Sequence, residues 1–195
     1  MRIVGGHFKG RRIAAAKGDI SRPTTDRNRE ALFNILTARD DVTLEGARVI
    51  DLFAGSGALG LEAMSRGAGY CLFVEIAAPA RGAIRDNIEA LNLFGQTRIH
   101  RRSAAALGRM PASAGGPFAL AFLDPPYRKN LAPPALRDLA HHGWLAPDAV
   151  VVLEQARDEV QSGAHGDVES FEQIDQRTYG DTHFSLLRFI GAKAD

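Results

Sequence analysis

The chain has 195 residues, 45% hydrophobic and 24% charged, with a formal net charge of +1. These are ordinary figures for one globular domain with room for a small appendage. No apolar run approaches the roughly 20 residues that cross a bilayer. The opening MRIVGGHFKGRR holds no stretch of signal-peptide length, and the single cysteine, Cys71, excludes an internal disulfide and a Cys-rich zinc site. The expectation is a cytoplasmic protein of bacterial type, and at this size a monomer.

The net charge hides an asymmetry. Residues 1–29 hold eight Lys/Arg (Arg2, Lys9, Arg11, Arg12, Lys17, Arg22, Arg27, Arg29) and two acids (Asp19, Asp26), so they carry +6 and leave −5 for the rest. A basic segment on a mildly acidic body points to a polyanion partner. In chain order, residues 2–13 (RIVGGHFKGRRI) read as a short hairpin with turns at Gly5-Gly6 and Gly10. AAAKGDISRPTTD reads as a loop, and DRNREALFNIL as a helix capped by Thr25 or Asp26. Strands then alternate with helices: strand 48–53, helix 58–66, strand 70–75, helix 78–92, strand 97–100, a short helix near 104–109, strand 117–123, helix 131–140 and strand 148–153. Such alternation implies βαβ units, a parallel sheet and a ligand crevice at the carboxyl ends of the strands. The tail reads instead as two strands around Tyr179-Gly180-Asp181, an antiparallel hairpin closing the sheet. PASAGG (111–116) and SGAHGD (162–167) read as loops.

Two motifs carry chemistry. In DLFAGSGALGLEA, Gly55, Gly57 and Gly60 fall between a strand and a helix at Gly-x-Gly-x-x-Gly spacing. Glycines there turn the chain tightly and bring a ligand against bare amides at a helix N-terminus. Glu75, ending the next strand, can grip the hydroxyls of a ribose. Asp51 separates the readings: a carboxylate four residues before the glycines repels a pyrophosphate and suits a cationic ligand such as S-adenosylmethionine. The plainer alternative is a strand-end acid that binds loop amides.

The second motif is Asp124-Pro125-Pro126-Tyr127, directly after FALAFL. Proline restricts the residue before it to extended geometry, so Asp124 and Pro125 are both stiffened. Two fixed acceptors result, the Asp124 carboxylate and the Pro125 carbonyl, and they match the two protons of a planar NH₂ group. Tyr127 offers a flat face for a base, worth on the order of 1–3 kcal/mol. An exocyclic amine is a poor nucleophile until both its protons are held and its lone pair is freed. Rigid acceptors do this while stabilising the positive charge that develops on nitrogen. The six histidines stand at no metal-ligand spacing except the adjacent His141 and His142, read as a helix-end surface pair, and no metal is expected.

MRIVGGHFKGRRI, RPTTDRNREALFNIL (22–36), DLFAGSGALGLEAMSRGA (51–68), DPPY (124–127) and YGDT (179–182) together resemble the S-adenosylmethionine-dependent methyltransferases of the seven-stranded Rossmann-like class. Within that class, the chain is similar to the bacterial 16S ribosomal RNA guanine-N2 methyltransferase family, RsmD type. The resemblance implies an α/β fold with a mostly parallel seven-stranded sheet, a C-terminal antiparallel hairpin and a short N-terminal β-hairpin. It implies a basic extension over residues 1–20 and a methyltransferase domain over 21–195. Asp51, Gly55, Ser56 and Gly57 would line the methionine part of the cofactor, and Glu75 would hold its ribose. Thr24, Thr25 and Arg27 would pack over it. Asp124, Pro125, Pro126 and Tyr127 would hold the target guanine. Arg2, Lys9, Arg11 and Arg12, joined by Arg22, would grip the phosphates of ribosomal RNA or of a small-subunit assembly intermediate. Two departures stand out: Ser103-Ala104 replaces the aspartate usual for the adenine, and IAAPAR follows Glu75 where polar residues are usual. The same chemistry on adenine-N6 of DNA or on a protein glutamine is the alternative. DNA enzymes need a recognition domain for which there is no room, and glutamine enzymes carry Asn at the first position of the motif. A non-catalytic RNA-binding protein and an NAD-dependent oxidoreductase complete the competing readings.

Overall fold

The computed structural model describes residues 1–15, 25–161 and 169–192. Seven strands form one sheet in the order β3-β2-β1-β4-β5-β7-β6. Those strands are β1 (Arg48–Leu52), β2 (Tyr70–Val74), β3 (Thr97–His100), β4 (Phe118–Leu123), β5 (Leu145–Ala156), β6 (Phe171–Tyr179) and β7 (Thr182–Phe189). The first five run parallel, and β7 pairs antiparallel with both β5 and β6. The fold class expected from the alternating pattern is the one observed.

The central strands are buried on both faces, which is why they read as continuous apolar runs and not as an alternation. Val49, Phe73, Leu120 and Phe122 pack on one side with α1 (Asp26–Thr37), α2 (Ala58–Ser65) and α3 (Ala78–Ala90). Ile50, Leu52, Leu72 and Leu123 pack on the other with α4 (Ala132–His141) and Trp144. The result is three layers, helix on sheet on helix. Thr25 caps α1 by accepting the Asn28 amide at 3.1 Å, as expected. A five-residue helix, α5 (Arg157–Gln161), follows β5 and was not anticipated.

Two expectations need correction, the start of β5 and the helix near residue 104, while the N-terminal hairpin is found as expected. The hairpin is short: an antiparallel bridge, Arg2 to Arg12, closes it, with Ile3 N–H donating to the Arg11 carbonyl at 2.9 Å and Ile13 N–H to the Met1 carbonyl at 3.2 Å. Other amides of the segment reach α2: Val4 N–H donates to Glu62 Oε2 at 2.8 Å, His7 N–H to the Ser65 carbonyl at 2.6 Å and Phe8 N–H to Ser65 Oγ at 2.9 Å. Ile3 and Ile13 enter the core, so the segment is held by packing across the molecule as well as by its own pairing. β5 starts three residues earlier than residue 148, since Leu145 pairs with Phe118 before the register shifts through Pro147 and the left-handed Asp148. The helix near 104–109 is one 3-10 turn, Ala104–Ala106, and PASAGG holds another at Ala112–Ala114. The loop at 162–167 lies outside the described residues. No described helix is long and apolar enough to cross a membrane.

Candidate active site

Parallel register aligns the carboxyl ends of the neighbouring strands: Leu52 lies opposite Val74 and Leu123, and Leu123 opposite Leu153. Each of those strands carries an acid at that end. Asp51, Glu75, Asp124 and Glu154 therefore gather along one edge of the sheet, where an open α/β fold takes its ligand.

The glycine turn is built from left-handed backbone. Phe53 has φ 60°, Gly55 55° and Gly57 80°, and Gly57 leads directly into α2. A Cβ on Gly60 would stand 2.4 Å from the Phe73 ring and 2.6 Å from Cys71 Sγ, so α2 can lie this close to β2 only on a glycine. The half-buried Glu75 braces the turn with both oxygens, Oε2 accepting from Gly55 N–H at 2.9 Å and Oε1 from Ala77 N–H at 2.7 Å. Asp51 is 1% exposed, and its Oδ2 accepts from Gly60 N–H at 2.9 Å. Burial pushes its carboxyl from 3.8 up to about 8, with the Glu75 charge adding to the rise and the Gly60 amide opposing it. Ser56 is buried and turns its hydroxyl toward Met1 Sδ, 3.4 Å away.

Asp124 follows β4 half-buried, Pro125 is buried, Pro126 exposed and Tyr127 half-buried. The Tyr127 phenol donates to Glu154 Oε1 at 3.2 Å. Its acidity is held well below that of an ordinary phenol by burial, then by the charges of Glu154 and Asp124. Ser103 stands half-buried at the start of its 3-10 turn, just beyond β3, and Ala104 is buried. Thr25 and Arg27 are exposed at the start of α1, while Thr24 and Arg22 lie outside the described residues.

Arg2, Lys9, Arg11 and Arg12 are all exposed. Two of them already have partners: Arg2 pairs with Asp26 at 3.3 Å, and Arg11 Nη2 donates to the Ala90 carbonyl at 2.7 Å. Lys9 and Arg12 keep the outward aspect expected of phosphate contacts.

The structure adds residues that sequence reasoning passed over. Asn87 is 2% exposed on α3; its Oδ1 accepts from Ala14 N–H at 2.7 Å, and its Nδ2 donates to the Ala14 and Ser56 carbonyls at 3.0 Å each. A buried amide on the face shared by Ala80, Ala83, Ile84 and Ile88 was the available signal. Glu62 is fully buried on α2; beyond Val4 it receives Arg66 at 2.8 Å and Arg29 at 3.7 Å. Arg29 in turn binds the Arg2 carbonyl and Asp26. This hub ties α1, α2 and the N-terminal segment together. Glu154, in VVVLEQ, follows an apolar run near the carboxyl end of its strand as Asp51, Glu75 and Asp124 do near theirs, and that repetition was the missed clue.

Known proteins are similar to this chain in sequence and fold. The model of the family described as "Conserved hypothetical protein 95" covers residues 1–188. Ribosomal RNA small subunit methyltransferase D of Escherichia coli (strain K12) is 36% identical over 163 residues, 84% of this chain and 77% of that protein. YlbH of Bacillus subtilis (strain 168) is 33% identical over 191 residues, 98% of this chain and 100% of that protein. The solved structure of yhhF from Escherichia coli superposes with a TM-score of 0.81 at 29% identity, covering 98% of this chain and 99% of that one. With a family model spanning nearly its whole length and a relative 36% identical over 84% of it, the chain belongs to the methyltransferase family that includes Ribosomal RNA small subunit methyltransferase D.

Proposed function

We propose that this protein transfers a methyl group from S-adenosylmethionine to the exocyclic N2 amine of a guanine in small-subunit ribosomal RNA. The observation that carries the reading is the placement of Asp124-Pro125-Pro126-Tyr127 on the strand next to the glycine turn, with Glu75 on the turn's other side. The name of the Escherichia coli relative supports the choice of RNA class.

The chain's residues suit the cofactor. The left-handed turn at Gly55 and Gly57 leaves backbone free of side chains beside the N-terminus of α2. Glu75 offers a carboxylate already oriented by two amides, and the buried Asp51 is a site an ammonium group would ionise. Ser103 and the backbone of its turn take the place of the missing aspartate at the adenine end. S-adenosylmethionine, when bound, supplies an electrophilic methyl on a sulfonium. Asp124 and the Pro125 carbonyl accept the two amine protons and leave the nitrogen lone pair directed at that methyl. As the N–C bond forms, the S–C bond breaks and its electrons stay on sulfur. Asp124, facing the positive charge that grows on nitrogen, is the nearest acceptor for the proton that must leave. Tyr127 holds the base by stacking. Residues 1–20 form the RNA-gripping extension of this reading, and residues 21–195 its catalytic domain.

The test is transfer of labelled methyl to small-subunit particles and to naked RNA from a strain lacking the enzyme, with nucleoside mass spectrometry of the product. N2-methylguanosine is expected. Asp124→Ala should lower the rate by about 10²–10³, the usual effect of deleting one positioned group that meets developing charge. Transfer to adenine, or an unimpaired Asp124→Ala enzyme, overturns the reading.

A further inference from the structure

The chain leaves the DPPY tetrapeptide through a strained turn. Arg128, the residue after Tyr127, is exposed and left-handed, with φ 60°. A residue with a long side chain stays in that region only where its surroundings over-determine it. Those surroundings come from α5, the short helix that follows β5. Arg128 N–H donates to Glu159 Oε1 at 2.5 Å, across 31 residues of sequence, and Arg128 Nη2 donates to Asp158 Oδ2 at 2.9 Å. The other oxygen of Glu159 accepts from the N–H of Ala156, the last residue of β5, at 3.0 Å. One half-buried carboxylate therefore joins the end of β5 to the turn behind DPPY.

Part of this is ordinary helix capping. Ala156 directly precedes α5, and Glu159 stands three residues later, the spacing at which a glutamate reaches back to the amide before its helix. A cap of that kind uses one oxygen. The second oxygen takes an amide from another part of the chain. β4 and β5 are paired neighbours up to Leu123 and Leu153, and beyond that pair Glu159 ties their continuations together. We infer that Glu159 is a positioning residue for Tyr127: by accepting the Arg128 amide it fixes the turn that aims the tyrosine ring at the target base. Pro125 and Pro126 stiffen the front of the tetrapeptide, because each restricts the residue before it. No proline follows Tyr127, so the back of the tetrapeptide takes its rigidity from this contact. The ring oxygen is held separately, by Glu154 Oε1 at 3.2 Å. A loop fixed at both points meets its ligand already ordered.

This inference rests on the reading of Tyr127 as the base-stacking residue, and the experiment separates the two. Glu159→Ala, Glu159→Gln and Asp158→Asn are compared with the wild type. Amide hydrogen exchange is followed without substrate. In Glu159→Ala it should quicken about tenfold both at residues 127–131, the turn, and at 156–160, the helix start. In turnover, kcat should fall about tenfold with the KM for S-adenosylmethionine unchanged, since a displacement of about 1 Å at an aligned group suffices for such a loss. Glu159→Gln keeps one acceptor at the same reach. It should show both effects at smaller size, and it carries the test if Glu159→Ala does not fold. Asp158→Asn removes only the partner of an exposed guanidinium, a pairing worth little in water, and should leave kcat within about twofold. Exchange that quickens at 156–160 alone reveals a helix cap and nothing more, and overturns the inference. An unchanged kcat beside a loosened turn overturns it as well. A wild-type protein that methylates no RNA sinks the functional reading, and exchange at 127–131 still decides whether Glu159 fixes the turn.

Discussion

A carboxyl group at 1% exposure, with one amide for company, is an expensive place to keep a charge. Asp51 therefore holds its proton up to about pH 8 in the free protein, whereas in the unfolded chain it loses it near 3.8. Between those values the folded state binds more protons than the unfolded one, so the contribution of Asp51 to stability falls as pH rises through that window. Asp51→Asn should flatten the fall, measured as urea midpoints from pH 4 to 8. An ammonium-bearing ligand beside Asp51 reverses the balance and expels the proton. S-adenosylmethionine binding at pH 7 is thus expected to release up to one proton, seen as a dependence of the calorimetric heat on the buffer's ionisation enthalpy. Identical heats in phosphate and Tris would refute a pairing with Asp51. At this scale the sequence was legible wherever an acid interrupted an apolar run: Asp51, Glu75 and Asp124 stood out because water-poor surroundings make such residues costly. Glu154 obeyed the same rule and was missed because no proline or glycine marked it. Asn87 and Glu62 looked like routine helix polar residues, since their value depends on what packs over them.

The elements owe their arrangement to a few close approaches. α2 lies on β1 and β2 at a distance only Gly60 permits, since an added Cβ would press on the Phe73 ring and Cys71 Sγ, both fully buried. Gly60→Ala should destabilise the fold by about 1–3 kcal/mol, the usual cost of an overpacked core, read from chemical unfolding. A loss below a few tenths of a kcal/mol would show that α2 can shift freely. Strand and helix order followed from apolar runs and glycine breaks, because parallel strands buried on both faces leave a strong local pattern. The docking of the N-terminal hairpin on α2 did not, because the Val4 and Phe8 amides bond to Glu62 and Ser65, more than fifty residues away in sequence. The early start of β5 was hidden for the opposite reason. Pro147 forbids a ladder bond locally, yet Leu145 resumes the pairing on its far side.

Across the whole molecule, charge and topology are arranged on different principles. The sheet order places the glycine turn and the DPPY tetrapeptide on neighbouring strands, and that could be anticipated from the alternation of elements alone. The distribution of the basic residues could not, because Arg2 and Arg11 are partly spent on Asp26 and Ala90. Arg12 and Lys9, both exposed, are the cleaner candidates for phosphate contacts. Arg12→Ala should weaken RNA binding at all sequences alike and reduce the slope of log K against log salt by about 0.7–0.9, one counterion's worth. Arg11→Ala should also loosen the segment on α3, so it should lower the thermal midpoint, which Arg12→Ala should leave alone. The Asn87 carboxamide grasps Ala14 on one side and the Ser56 carbonyl on the other. One small group thereby spans the basic N-terminal segment and the glycine turn, the proposed sites of nucleic acid and of the methyl donor. Any factor by which donor occupancy tightens the hold on RNA must be returned, undiminished, by RNA to the donor, so neither ligand's affinity is a property of its own site alone.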